Sequence, residues 1–438
     1  MAGETQRMGN ELVIRVGGES GEGIISTGEL ITKAAAEASL YVMTYRTYPA
    51  EIVGGPALYQ VRIGDSPLLT HGDTLDVLIA FNEEAYGRHA QDLKPGAVLI
   101  WDSSVFTPPD GAQFIRYPIP LSELATTRIG RPQSKNMVAL GAVGQLFSLP
   151  QEALEEAVVK RFSEKGTRIV ESNLNALRVG MEFVATRVLK QDGLKMPSAT
   201  PRRRMVLAGN QAISLGVVAS GCRFVTGYPI TPASDILEWL AEELPRLGGT
   251  VVQCEDEMAS LAACLGASFA GKKAFTCTSG PGLSLMTELF NLAGMAELPL
   301  VIVDVQRAGP STGMPTKTEQ SDLNHAMFGG HGEAPRVVIA PANVRDCFDW
   351  TVEAFNIAEE YQVPVILLSD MALSSRMEGI EPVDPSKLRI KSRKLAGPGA
   401  LQNYERYAFT PSGVSPMAVP GIRGGEHSAR GIEHDPRG

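Results

Sequence analysis

The stretch EDEMASLAACLGASFAGKKAFTCTSGPG, Glu255–Gly282, decides the fold. It begins with acids, runs through an Ala-rich segment of helical character, continues as the short apolar strand AFTCT and ends on a Gly–Pro turn. That order suits a buried acid on one side of a ligand pocket and a turn lined by backbone on the other. Gly280 and Gly282 permit a tight turn and close approach of the backbone to a flat ligand. A turn of this kind gains weight where it follows a strand and opens a helix at the carboxyl end of a sheet.

Outward from this stretch the same alternation continues. CRFVTGY and TVVQCE precede it as strands, and LVIVDV, RVVIAP and VPVILL follow. Helices are expected at ILEWLAEEL, MASLAACLGASFA and LMTELFNLAGM. Most of these strands are continuously apolar, the pattern of parallel strands covered on both faces. The segment 11–190 alternates in the same way, with ELVIRV, the Gly-rich GGESGEG and the helix TGELITKAAAEA at its start. Further strands read at ALYQVRIG, DVLIAF and AVLIWD, and helices at Asn136–Leu149 and Leu174–Leu189. The expected architecture is α/β, with two domains built on mainly parallel sheets. They span 11–190 and 205–378, joined by the Pro- and Arg-bearing linker 191–204, QDGLKMPSATPRRR. From 379 to 438 the chain turns Pro-, Arg- and Gly-rich without periodicity, an extended tail that cannot build a core of its own.

Composition narrows the function classes. The 438 residues are 44% hydrophobic and 20% charged, as in an ordinary soluble protein. A net charge of -9 argues against a nucleic-acid partner. The polar start MAGETQRMGNE lacks the apolar core of a signal peptide, and the longest apolar runs are strand-sized, so the expectation is a cytoplasmic protein with no membrane span. The cysteines are Cys222, Cys254, Cys264, Cys277 and Cys347, with no CxxC. The chain itself is therefore expected to hold no metal or iron–sulfur cluster, its thiols being reduced and buried.

Four motifs carry chemistry. In GYPITPASDILEWLAEEL the strand ends at Tyr228, and Thr231 and Pro232 read as the N-cap and first position of a helix. Its free N–H groups either cap a simple turn or hold a carboxylate. Glu255 and Glu257 close the strand TVVQC. An acid there is either exposed at the sheet edge or buried, with a raised pKa, to share a proton with a ring nitrogen. Glu257 reads as a first-turn helix acid pointing away. The long loop VQRAGPSTGMPTKTEQSDL offers Arg307 as a bidentate clamp for a carboxylate and Lys317 as a second positive charge. A loop of this length is either solvated or functional. GGESGEG does not fit GxGxxG and gives weak support to dinucleotide binding.

Together GGESGEG, YPITP, EDEMAS, TSGPG, QRAGPSTGMPTKTEQ and GHGEAPR resemble the 2-oxoacid:ferredoxin oxidoreductases, over about residues 12–375. The likeness is to an alpha subunit with a gamma domain fused at its N-terminus, most like the 2-oxoglutarate branch. It implies that 205–378 is a pyrimidine-binding domain for thiamine diphosphate, contacted by Tyr228, Pro229, Ile230, Thr231, Glu255, Ser279 and Gly280. Glu255 lies 23 residues before Thr278, and the resemblance favours it over Glu257 as the acid that shares a proton with the pyrimidine. It implies Thr231 and Arg307 at the 2-oxoacid, with Lys317 toward a distal carboxylate. Gly64-Asp65 and Gly72-Asp73 lack the remainder of the motif that holds diphosphate and Mg²⁺ in thiamine enzymes. Diphosphate, Mg²⁺ and a [4Fe–4S] cluster are accordingly expected on a beta subunit, in a dimer of alpha–beta heterodimers that passes electrons to ferredoxin and forms acyl-CoA from coenzyme A. The resemblance further implies another α/β domain after the tail, whereas this sequence stops at Gly438. Pyruvate as substrate, a non-catalytic scaffold subunit and a dinucleotide-dependent oxidoreductase are the rival readings.

Overall fold

The structure is a computed structural model that describes residues 10–47, 54–110 and 114–438. In chain order its elements are β1 (Glu11–Glu19), α1 (Ile24–Glu37), β2 (Tyr41–Thr47), β3 (Pro56–Gly64), β4 (Leu75–Ala80), α2 (Glu83–His89), β5 (Leu93–Asp102), β6 (Ile115–Ile119), α3 (Leu121–Thr127), α4 (Lys135–Phe147), α5 (Gln151–Phe162), α6 (Thr167–Arg187) and β7 (Met205–Ala208). They continue as α7 (Gly209–Ala219), β8 (Phe224–Gly227), α8 (Ser234–Glu243), β9 (Thr250–Gln253), α9 (Glu257–Phe269), β10 (Ala274–Thr278), α10 (Gly280–Met295), β11 (Leu300–Gln306), α11 (Leu323–Phe328), β12 (Val337–Ile339), α12 (Val344–Tyr361), β13 (Pro364–Asp370), α13 (Met371–Ser375) and β14 (Met377–Ile380). The chain forms two compact units, one of residues up to Leu207 with Arg376–Pro382, the other of Ala208–Ser375 with Val383–Gly438.

The first unit holds a sheet of order β6-β5-β4-β1-β3-β2-β14-β7 among the described residues. It is parallel from β6 to β1, whereas the β1–β3, β3–β2 and β2–β14 pairs are antiparallel. β1 is buried at every position but its ends, because helices and strands cover both of its faces. The segment read as a linker has no helix or strand, yet it is tied down. The Tyr117 hydroxyl accepts from the Gln191 N–H at 2.7 Å and donates to Asp192, and Met196 N donates to the Phe147 carbonyl at 2.8 Å. Residues 376–382 return to this unit because β14 pairs with β2, and Met377 N donates to Thr44 Oγ1 at 2.9 Å.

The second unit is a parallel sheet of order β12-β13-β11-β10-β8-β9. Every residue of β10, β11 and β13 is buried, which explains their unbroken apolar runs. The chain leaves β8 toward β9 and leaves β10 toward β11, in opposite directions along the sheet. A crevice therefore opens between the carboxyl ends of β8 and β10, the place where open α/β sheets bind ligands. The loops YPIT and TSGPG flank it. The tail 383–438 stays irregular and builds no sheet, but it packs on this unit and buries Met417 and Ala418. No helix among the described residues is long and apolar enough to cross a membrane.

Candidate active site

Each candidate side chain leaves the carboxyl edge of the second sheet. After β9 the chain bends through Glu255 and enters α9, whose N-cap is Asp256: its carboxylate accepts from Ala259 N at 2.6 Å. The cap fixes the first helical residue, Glu257, on the stripe of α9 that faces the sheet. The buried residues of that helix are Glu257, Ser260, Leu261, Cys264, Leu265 and Ser268, one helical face. Glu257 is 5% exposed, while Glu255 faces solvent in this chain. The acid turned inward is thus Glu257, against the expectation for Glu255, and Glu257 is a first-turn acid that points in.

Glu257 meets the turn after β10. A Cβ placed on Gly282 would lie 2.0 Å from Thr278 Oγ1 and 2.6 Å from Glu257 Cγ and Oε1, so only glycine fits there. Thr278 and Ser279 are wholly buried, and Ser279 Oγ has no hydrogen-bond partner. Glu257 accepts no hydrogen bond from any described residue. A buried carboxyl beside a glycine cradle and an unpaired hydroxyl fits a planar, nitrogen-bearing ring.

YPIT is built differently from the sequence expectation. Ala233 N and Ser234 N both donate to the Ile230 carbonyl, at 2.8 and 3.0 Å, so α8 starts at Ser234 with Ala233 before it. Thr231 and Pro232 lie in the preceding turn rather than at the cap. Tyr228, Pro229 and Thr231 are exposed and Ile230 is half-buried. Asn210 Nδ2 holds this turn from below through the Pro232 carbonyl at 2.8 Å.

Arg307 joins two of the predicted loops. Its Nη1 donates to the Thr231 carbonyl and its Nη2 to the Thr312 carbonyl, each at 2.7 Å. The residue is 6% exposed, and its buried Nε has no partner. Burial pushes the guanidinium pKa down, and the Glu257 charge acts in the opposite direction. The fork is therefore engaged on one N–H of each terminal nitrogen. Lys317 is bound through its backbone, its carbonyl accepting from Ala308 N at 2.9 Å, while its side chain is exposed. The loop itself is knit: Met314 N donates to the Ala308 carbonyl at 2.9 Å, and Gly309 N to Glu319 at 3.0 Å.

The structure thus brings together Thr231 and Arg307, and separately Glu257 with Thr278 and Gly282; it leaves Glu255 and the Lys317 side chain outside. Among the described residues there is no group of three or more His, Cys, Asp or Glu placed to hold a metal ion.

The fold and this site define the pyrimidine-binding class of thiamine diphosphate domain. Residues 215–437 match the family model described as pyruvate flavodoxin/ferredoxin oxidoreductase, thiamine diphosphate-binding, and residues 13–183 match that of pyruvate ferredoxin/flavodoxin oxidoreductase. The chain is 36% identical to 2-oxoglutarate oxidoreductase subunit KorA of Mycobacterium tuberculosis, over 99% of this chain and 71% of that one. It is 33% identical to 2-oxoacid:ferredoxin oxidoreductase 2 subunit alpha of Aeropyrum pernix, over 98% of this chain and 75% of that one. The 2-oxoglutarate:ferredoxin oxidoreductase of Magnetococcus marinus, solved with 2-oxoglutarate, coenzyme A and succinyl-CoA bound, superposes with a TM-score of 0.92 at 44% identity, covering 98% of this chain and 75% of its own. The chain belongs to the 2-oxoacid:ferredoxin oxidoreductase family, as an alpha-type subunit.

Proposed function

We propose that this chain contributes the pyrimidine-binding half of an active site that converts 2-oxoglutarate and coenzyme A to succinyl-CoA and CO2, with two electrons passed to ferredoxin. The observation that carries the reading is the buried, unpartnered Glu257 against Thr278 and Gly282. Thiamine diphosphate, when bound, supplies the carbanion-stabilising chemistry of decarboxylation. Glu257 holds a proton toward the ring nitrogen, and the Gly280–Gly282 backbone, Ser279 and the Tyr228–Thr231 loop pack around the ring. Glu255 stays in solvent at the bend before α9.

Arg307 fixes the YPIT and GPSTG loops through the Thr231 and Thr312 carbonyls. Its remaining N–H groups are available to the substrate carboxylate. Lys317, exposed on the same loop, supplies a charge for the distal carboxylate, which favours 2-oxoglutarate over pyruvate. The names of the relatives and the ligands of the Magnetococcus enzyme support this substrate choice. Diphosphate, Mg²⁺ and the [4Fe–4S] cluster fall to a beta subunit, and a dimer of alpha–beta heterodimers in the cytoplasm is the assembly proposed.

The test is co-purification with the neighbouring beta chain, followed by ferredoxin reduction with several 2-oxoacids and coenzyme A. Preference for 2-oxoglutarate, with loss of turnover in Glu257→Gln, supports the reading. A complex that prefers pyruvate overturns the substrate. A complex that keeps activity with both Thr231 and Arg307 altered makes this chain a scaffold. Release of NAD or flavin in place of thiamine diphosphate overturns the chemistry.

A further inference from the structure

Two acids of the second unit, one wholly buried and one half-buried, have no role in the reaction as read above. Asp304, on β11, is wholly buried between Thr278 of β10 and Leu368 of β13 in register. No N–H or O–H among the described residues reaches either of its oxygens. The polar group it meets is the carboxyl of Asp322, at the far end of the long loop. Asp322 Oδ2 is also buried without a donor, and it packs where a Cβ on Gly280 would come within 2.7 Å. The further charged or titratable groups facing Asp322 are His325 and Glu319. Neither aspartate forms an ion pair among the described residues.

Two ionised carboxylates in contact offer each other lone pairs only, and like charges in an apolar interior repel. One proton between them removes a charge and supplies the missing donor. We propose that Asp304 and Asp322 share one proton, with Asp304 as the donor, and that this bond latches the 306–322 loop to the carboxyl edge of the sheet. Asp322 is pinned a second time by its backbone, whose N–H donates to Gln306 Oε1 at 3.0 Å. Gln306 directly precedes Arg307, so the loop is closed at its base beside the residue that ties it to Thr231. The two aspartates are positioning residues for Arg307. The inference concerns the loop and does not depend on which 2-oxoacid is the substrate.

Burial and the facing carboxyl push Asp304 well above the usual carboxylate range, and burial raises Asp322 too. Raised folded values mean that this contribution to stability is complete below the ordinary carboxyl pKa. It is lost as pH rises through the folded value.

The test uses the full chain with isotope-labelled aspartate carboxyls. Infrared spectra at neutral pH should show a protonated carboxyl band that is lost in Asp304→Asn. That variant, whose amide supplies an N–H to Asp322, should melt like the parent at neutral pH and hold its melting temperature where the parent falls in alkali. Asp304→Ala should melt lower throughout. Should Asp304→Ala fail to fold, Asp322→Asn is read in the same spectra, where the band should move in frequency because the still-buried Asp304 carboxyl then donates to an amide oxygen in place of a carboxylate. Absence of the band in the parent, an unshifted band in Asp322→Asn, or an Asp304→Asn as unstable as the alanine variant would overturn the proposal.

Discussion

Glu255 and Glu257 carry the same side chain two positions apart, and their surroundings separate them completely. Glu257 lies on the inward stripe of α9 and abuts Thr278 and Gly282, whereas Glu255 stands in solvent at the bend before the helix. In the reconstituted complex Glu257→Gln should lower kcat by roughly 10²–10⁴-fold, the usual worth of a positioned proton-transfer group. Glu255→Gln should change it by no more than about 3-fold, a far smaller effect than loss of such a group. The reverse ranking would return the role to Glu255. A second residue-scale expectation belongs to the first unit. Burial, and then the adjacent Arg15, lower the pKa of His89 from 6.5 to about 4, and its Nδ1 lies 3.2 Å from Arg15 Nη1. The unfolded chain therefore takes up this proton first on acidification, so the neutral ring's contribution is present above 6.5 and is lost as pH falls toward 4. Melting curves across that window should flatten in His89→Gln, and an unchanged slope would remove His89 from the account. Legibility at this scale was uneven. The residues of YPITP, TSGPG and the Arg307 loop could be read as motifs, but the choice between two glutamates needed the phase of α9. The apolar spacing of Leu261, Cys264 and Leu265 extends back to 257, not 255, and was the one signal in the sequence that pointed to it.

At the scale of elements, α9 is an aiming device. Its N-cap Asp256 fixes where helical geometry begins, and that phase decides which way Glu257 faces. Asp256→Ala should cost about 1 kcal/mol of stability, and it should reduce turnover as Glu257 loses its fixed direction. Asp256→Asn, which keeps a cap acceptor, should preserve both; equal turnover in all three proteins would show that the cap does not aim the acid. The strands of the second sheet were legible because parallel strands covered on both faces are apolar throughout. The start of α8 was not. Thr231-Pro232 has the composition of a cap, yet the Ile230 carbonyl collects the Ala233 and Ser234 N–H groups and moves the helix to Ser234. A long-range bond from Arg307 to the Thr231 carbonyl accompanies that arrangement, and no local pattern encodes it.

On the scale of the whole molecule, the tail shows how an aperiodic segment becomes ordered. Arg393 donates to Glu359 from its backbone N at 2.8 Å and from Nε at 3.0 Å, with both side chains nearly inaccessible, and Nη1 donates to the Ser268 carbonyl at 2.7 Å. Arg406 reaches the Glu297 carbonyl at 2.7 Å. Arg393→Ala should cost about 3–5 kcal/mol, because it leaves Glu359 buried without its partner. Denaturant titration and limited proteolysis of the 383–438 segment would read it; a tail equally resistant in the variant would show that this pair does not dock it. Amino-acid sequence by itself determined the two α/β units, their principal strands and the loops at the carboxyl edge, because hydrophobic period and turn chemistry are local properties. Tertiary structure alone decided that Arg307 is held by two carbonyls, that Asp304 meets Asp322, and that residues 376–382 complete the first sheet. Those outcomes rest on burial and on hydrogen bonds between residues far apart in sequence, and such pairings arise only when the folded chain brings the partners together.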